Sequence, residues 1–324
     1  MKSILFYLLL IGACVQKSKV VTENVLSEPQ APFVLLKNEQ VKMKVYLPDI
    51  KDGIYVGTRY DHAGIIGSVR YKGHEYFGFW KEKYDPLVGM YGPAETYKTA
   101  GLGYDQAEPG ESFIRIGVGF VKKEDEPSYD YHNIYEIVDH GEWLVDTGED
   151  WISISHIIDS DFGYGYIYKK TIRLKDDGFQ TEYSLTNTGE KLISSDQYCH
   201  NFFMLDGVKC NPSIEVRYPY PVTTEDDLKG LMSVTGNTLN FTKLMERGTV
   251  FMKLKGYGTS IEDNLFTVEN TESGAGVTVS VDQPLVKLEF WTNGKTLCPE
   301  NTIQINVAPG EVQVWNSDYT LFVK

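Results

Sequence analysis

Along the chain, apolar and polar residues alternate in short runs and never settle into a sustained 3.6-residue repeat, so long helices are not expected. Runs rich in β-branched and aromatic residues lie at 65–71, 113–120, 151–158, 164–174 and 180–187, and again at 249–255, 276–281, 286–291, 302–307 and 312–323. Turn chemistry falls where antiparallel neighbours need it: Lys72-Gly73, Asp177-Gly178, Asn293-Gly294 and Pro309-Gly310. Many strands with regular turns and no interleaved helices predict an all-β chain, a large antiparallel β-sandwich with more strands than an immunoglobulin-like domain. The acidic stretch 122–131 is expected as an exposed loop and 225–230 as a polar insertion. Neither marks a domain boundary, so 31–324 is expected as a single domain.

The first thirteen residues follow different rules. Lys2 gives a positive start, 4–11 is an apolar run too short to span a bilayer, and Gly12-Ala13 is a small-residue cleavage site directly before Cys14. Residues 1–13 are therefore expected as a signal peptide. Small residues followed by Cys suggest the bacterial lipoprotein variant, in which Cys14 is acylated and 14–30 is a lipidated tether; an ordinary secretory signal with an incidental Cys is the alternative. The expected location is the cell envelope, with the membrane as partner through the lipid anchor. Residues 15–19 lack an acidic run of the kind that accompanies surface export, which favours a periplasm-facing protein.

Composition narrows the partners. Of 324 residues, 22 are Tyr, 15 Phe and 5 Trp, and the formal net charge is −14. That charge repels nucleic acid and acidic polymers but does not oppose a neutral sugar, and sugars stack on aromatic rings. Cys199, Cys210 and Cys298 show no C-x-x-C pairing, and there is no His-x-x-x-His pair, so no metal site is expected. A Cys199–Cys210 bridge is left open by the spacing. Gly117-Val118-Gly119 lacks the third glycine and the helix of a dinucleotide site.

The densest chemistry lies after the turn Asn187-Thr188-Gly189, in the run from His200-Asn201-Phe202-Phe203 to Met204-Leu205-Asp206-Gly207. An imidazole that titrates near neutrality, set among aromatic faces, suits proton transfer to a sugar. The same residues also fit a core histidine with both nitrogens satisfied. This run resembles the His-x-aromatic-Phe-x-Leu-x-Gly motif of the aldose 1-epimerase (galactose mutarotase) superfamily, whose His is a general acid. A second stretch is similar to that superfamily's C-terminal landmark: Phe290-Trp291, Leu297-Cys298-Pro299-Glu300, Pro309-Gly310-Glu311, Trp315 and Tyr319. The resemblance implies the mutarotase-like super-sandwich, with His200 as acid, Glu300 as base, a sugar or oligosaccharide as ligand and no cofactor.

The chain departs from the superfamily in its N-terminal half. No His-Gly-Phe motif is present, the region reading Gly92-Pro93-Ala94-Glu95-Thr96-Tyr97, and the Asn-Arg pair that holds hydroxyls is missing. Asn301 stands where related sequences often have Pro. Arg59 is the candidate replacement, since a guanidinium fork pairs with vicinal hydroxyls or with a carboxylate; a surface Arg paired with Asp61 is the plainer reading. Glu95 is a candidate hydroxyl contact or a solvated loop residue, Asp206 a hydroxyl acceptor or a turn residue, and Trp291 a stacking platform or core. The expected activity is exchange of α and β anomers. The alternatives are a non-catalytic carbohydrate-binding lipoprotein on the same fold, and a lyase or hydrolase using Tyr198.

Overall fold

The structure is a computed structural model that describes residues 30–97 and 100–324. The expected leader, Cys14 and nearly all of the tether lie outside the described residues. Two large antiparallel sheets dominate. A ten-stranded sheet runs in the order Met232–Thr235, Thr238–Phe241, Ile214–Arg217, Leu265–Asn270, Ala275–Val281, Val312–Val323, Gly178–Asn187, Gly165–Lys175, Trp151–Asp159 and Glu142–Thr147. A five-stranded sheet runs Val250–Lys253, Lys287–Thr292, Leu297–Val307, Ile193–His200 and Ala94–Tyr97. Four strands at Phe33–Lys37, Val41–Tyr46, Ile65–Tyr71 and His74–Glu75 form a third sheet, and Ser112–Arg115, Gly119–Lys122 and Ile137–Asp139 a fourth.

Period-two alternation explains how these sheets share a core. In Gly165–Lys175 the inward residues are Tyr166, Tyr168, Lys170, Ile172 and Leu174, with Ile167, Lys169 and Arg173 outside. In Gly178–Asn187 the inward set is Phe179, Thr181, Tyr183, Leu185 and Asn187. Met252, Leu288, Phe290 and Ile303 of the five-stranded sheet join Tyr166, Tyr183 and Trp315 of the larger one in a single apolar cluster. Fully burying a side chain of this size contributes roughly 1.5–3 kcal/mol, so this shared layer is the main force holding the two sheets face to face.

Expectation and structure diverge in places. The run 113–120 is not one strand: Gly117 and Gly119 take φ of +74° and +134°, which folds it into the hairpin of Ser112–Arg115 and Gly119–Lys122. The stretch around Glu300 is not a loop but the start of the eleven-residue strand Leu297–Val307. The polar sequence before His200 is the strand Ile193–His200. The acidic stretch 122–131 is largely exposed, as expected, and is anchored at Glu126, which accepts hydrogen bonds from the hydroxyls of Tyr104 and Tyr135 at 2.9 and 2.8 Å. Cys199, Cys210 and Cys298 are free thiols, so the Cys199–Cys210 bridge is not formed.

Candidate active site

The site is a consequence of strand register. Directly opposed residues in an antiparallel pair point to the same face, and the next residue points to the other. Glu289 pairs with Glu300, Trp291 with Cys298 and Lys287 with Thr302; Thr302 pairs with Tyr198, Tyr198 with Thr96, and Phe251 with Trp291. One face of the five-stranded sheet therefore carries Phe251, Lys287, Glu289, Trp291, Glu300, Tyr198, His200 and Thr96. All of these line a cavity of about 600 Å³, within the 300–1,000 Å³ usual for small-molecule sites. The rest of its wall comes from segments that cross over this face, including Tyr55, Arg59 and Tyr60, Trp80 and Met90, and Tyr129 to Ile134.

His200 and Glu300 meet at this wall. His200 Nε2 lies 3.4 Å from Glu300 Oε1, and both residues are buried. The ladder between their strands ends just before them, at Tyr198 and Thr302, where Pro299 removes a backbone donor. Side chains close the gap. Asn201 Nδ2 donates to the Pro299 carbonyl at 3.0 Å, the Tyr319 hydroxyl donates to Asn201 Oδ1 at 2.9 Å, and the Phe202 amide donates to Cys298 Sγ at 3.2 Å. Phe202 turns the chain at φ +47°, which brings its ring flat against the imidazole at 4.0 Å and 7°. Tyr60 and Trp291 meet the same imidazole edge-on at 6.1 and 5.2 Å. Gly92 allows this packing, since a Cβ there would sit 1.7 Å from the Asn201 carbonyl oxygen.

The structure brings four of the candidate residues together and leaves two outside. His200, Glu300, Arg59 and Trp291 line the cavity. Glu95 is not in a solvated loop and does not reach the cavity. It opposes Cys199 on the other face of the sheet, where its oxygens accept from Lys170 Nζ and the Tyr183 hydroxyl, each at 2.6 Å. Asp206 is a turn residue at φ +54°, accepting from the Glu75 amide at 3.0 Å and pairing with His74 at 2.8 Å. Arg59 does not pair with Asp61, which is buried and accepts from Tyr168 and the Ala63 amide, both at 2.8 Å. Burial pushes the Asp61 carboxyl up to about 7 against the pull of Lys170, whose own value is raised by Glu95 and Asp61 although burial opposes it.

Several cavity residues carry no mark in their local sequence. Glu289 and Lys287, 2.8 Å apart, sit in a run that reads as an ordinary alternating strand. Tyr198, the residue named for the lyase or hydrolase reading, also lines the cavity, and burial raises its hydroxyl well above the usual range, so it stays protonated. His132 and Asn133 reach the rim from the acidic segment, His132 held by Asp130 at 3.1 Å. The one readable signal is Lys170, a cation on the inward register of Gly165–Lys175, which demands a buried acid opposite.

This architecture recurs in solved structures. A galactose mutarotase-like protein from Clostridium acetobutylicum superposes with a TM-score of 0.55 and 12% identity over 90% of this chain and 95% of its own. One from Lactobacillus casei gives 0.54 and 11% over 90% and 100%. The chain has the galactose mutarotase-like fold. An aldose epimerase homologue from C. elegans shares it, at 0.53 and 11% over 91% and 99% of the two chains. At these identities the likeness is one of fold. No family model and no curated protein matches the chain.

Proposed function

We propose that the protein is an aldose 1-epimerase-like isomerase that opens and recloses the ring of a sugar bound in the cavity beside His200 and Glu300. The observation that carries the reading is the 3.4 Å approach of an imidazole and a carboxylate on an aromatic-walled cavity. Anomer exchange needs two proton transfers at oxygens on a single carbon, so the two catalytic groups must converge. Glu300 removes the proton of the C1 hydroxyl, the bond from C1 to the ring oxygen breaks, and imidazolium His200 protonates the released oxygen. After rotation about the bond between C1 and C2, the same steps run backwards on the other face of the carbonyl. Trp291 lines the cavity, where a sugar ring can stack on it.

Polarimetry on freshly dissolved pure anomers tests this. Positioned acid–base groups each supply roughly 10²–10⁴-fold, so His200→Ala and Glu300→Gln should each lose at least about a hundredfold in accelerated mutarotation, with a cooperative melting transition verifying that each variant folds. Wild-type rates in both variants would exclude the mechanism. A chain that binds sugars without accelerating their equilibration would instead be a carbohydrate-binding protein on the same fold. We further propose that acylation of Cys14 holds the protein at the cell envelope facing the periplasm, a reading that rests on residues 2–14 of the sequence alone.

A further inference from the structure

Among the described residues, the Arg59 guanidinium in this cavity is paired with no acid. Its guanidinium carbon lies 4.9 Å from the Tyr60 ring and 4.6 Å from the Tyr131 ring, and the groups acting on its charge are the hydroxyls of Tyr60, Tyr198 and Tyr131. Those of Tyr60 and Tyr198 are kept protonated by burial and so are neutral. Arg59 Nε is buried and has no hydrogen-bond partner among the described residues. The other described cations of the cavity wall have partners: Arg115 donates to the carbonyls of Thr58, Arg59 and Ala100, Lys81 to that of Val88, and Lys287 pairs with Glu289. A half-buried cation without an anion, with one arm of its fork unused, is a costly arrangement that an anionic ligand would relieve.

We propose that the sugar taken by this site carries a carboxylate, as a hexuronate does, and that Arg59 binds it through two parallel N–H···O bonds from Nε and one terminal nitrogen. The inference rests on the isomerase reading for the sugar's orientation. Tyr60, against the guanidinium, is 6.1 Å from the His200 ring, and Tyr198, which lines the same cavity, is 6.2 Å from it. Arg59 is thus about one ring away from the acid. In a hexuronate the carboxylate hangs on C5, the carbon bonded to the ring oxygen that His200 protonates, so both groups meet the same edge of the sugar. A phosphate ester fits less well: its charge of about −1.5 to −2 would face Glu289 and Glu300 across the same cavity. The overall charge of −14 does not prevent entry of a monoanion, because screening over about 8 Å leaves Arg59 to dominate locally. A long polyuronate would have to run over the acidic surface.

The test uses the full-length chain with glucuronate, galacturonate, glucose, galactose and glucose 6-phosphate, read by thermal shift for binding and by NMR of pure anomers for equilibration. The expected result is that a uronate raises the melting temperature and is equilibrated in preference to its neutral parent. In Arg59→Gln the ratio of kcat/KM for uronate over neutral sugar should fall on the order of 10- to 100-fold, with Arg59→Lys in between because it keeps the charge but not the fork. Melting of the ligand-free variants verifies that both fold. Neutral hexoses equilibrated while uronates are ignored would overturn the carboxylate and leave the isomerase standing. Arg59-dependent uronate binding without equilibration of any sugar would do the reverse. Preference for glucose 6-phosphate also overturns the carboxylate, and inertness toward all five probes overturns both.

Discussion

Replacing His156 by glutamine should remove about 2 kcal/mol of the stability that the protein loses between pH 7 and pH 5. His156 is fully buried, with Trp143 stacked on its ring at 4.0 Å and 5°. Its Nε2 donates to the His140 carbonyl at 2.9 Å, so Nδ1 must be the acceptor for the Tyr166 hydroxyl at 3.0 Å, and that hydroxyl in turn accepts from the Gly117 amide at 3.2 Å. Every partner suits a neutral ring. Burial therefore pushes His156 down to about 3, and the neighbouring His62, which also stacks on Trp143, down to about 4. Below the ordinary value of 6.5 the unfolded chain takes up protons that the native ring refuses, so stability present at neutral pH is lost as the pH falls. Each unit is worth 1.36 kcal/mol per histidine, which gives about 2 kcal/mol each at pH 5. Asp61 works in the opposite sense. Its carboxyl, raised from 3.8 to about 7, takes up a proton in the native state first, and returns about 2 kcal/mol on the same descent. The wild-type slope is thus a sum of opposed parts, and the informative quantity is the difference between proteins. Urea unfolding followed by tryptophan fluorescence at the two pH values gives it directly. Equal losses in His156→Gln and wild type, within about 0.5 kcal/mol, would refute the neutral-ring assignment. His62 ends the segment 57–62 that carries Arg59 and Tyr60 into the cavity, so an acid-side loss of activity should be compared with this unfolding before it is assigned to His200.

Lys170→Met should cost about 3–5 kcal/mol, because it strands Glu95 and Asp61 in the core without their shared cation, and adding Glu95→Gln should recover part of it. A loss under 1 kcal/mol in denaturant unfolding would show that the pair is not ionised. Cys14→Ser should abolish incorporation of labelled palmitate in a bacterial host and release the protein from the membrane fraction; unchanged labelling would remove the anchor.

The sandwich was legible because its inward residues are apolar and repeat every second position, as in Trp151–Asp159 and Val312–Val323. Legibility failed where a strand has chemistry on one face and polar partners on the other. In Ile193–His200 the buried positions include Ser195, Gln197 and His200, so neither face reads as core and the run was not among the predicted strands. The predicted strand 302–307 likewise began short of Glu300, whereas Leu297–Val307 in fact starts five residues earlier. His200 and Glu300 could be named from the resemblance of the stretches around them. Glu95 and Asp206 could not be sorted from their neighbours, because what decides them is remote: a lysine 75 positions away for one, a histidine 132 positions away for the other. Whether Arg59 met Asp61 or tyrosine rings was likewise beyond local pattern.

The division of the five-stranded sheet into a chemical face and an apolar face has an evolutionary consequence. A substitution at Lys287, Glu289 or Trp291 alters what the cavity can hold, while Leu288 and Phe290 between them keep the layers together. Specificity can therefore drift by point mutation at alternate positions with little threat to folding. Gain or loss of a single residue in that strand is another matter: it would turn the carboxylates into the oily layer and the oily layer into the cavity, ending fold and chemistry together.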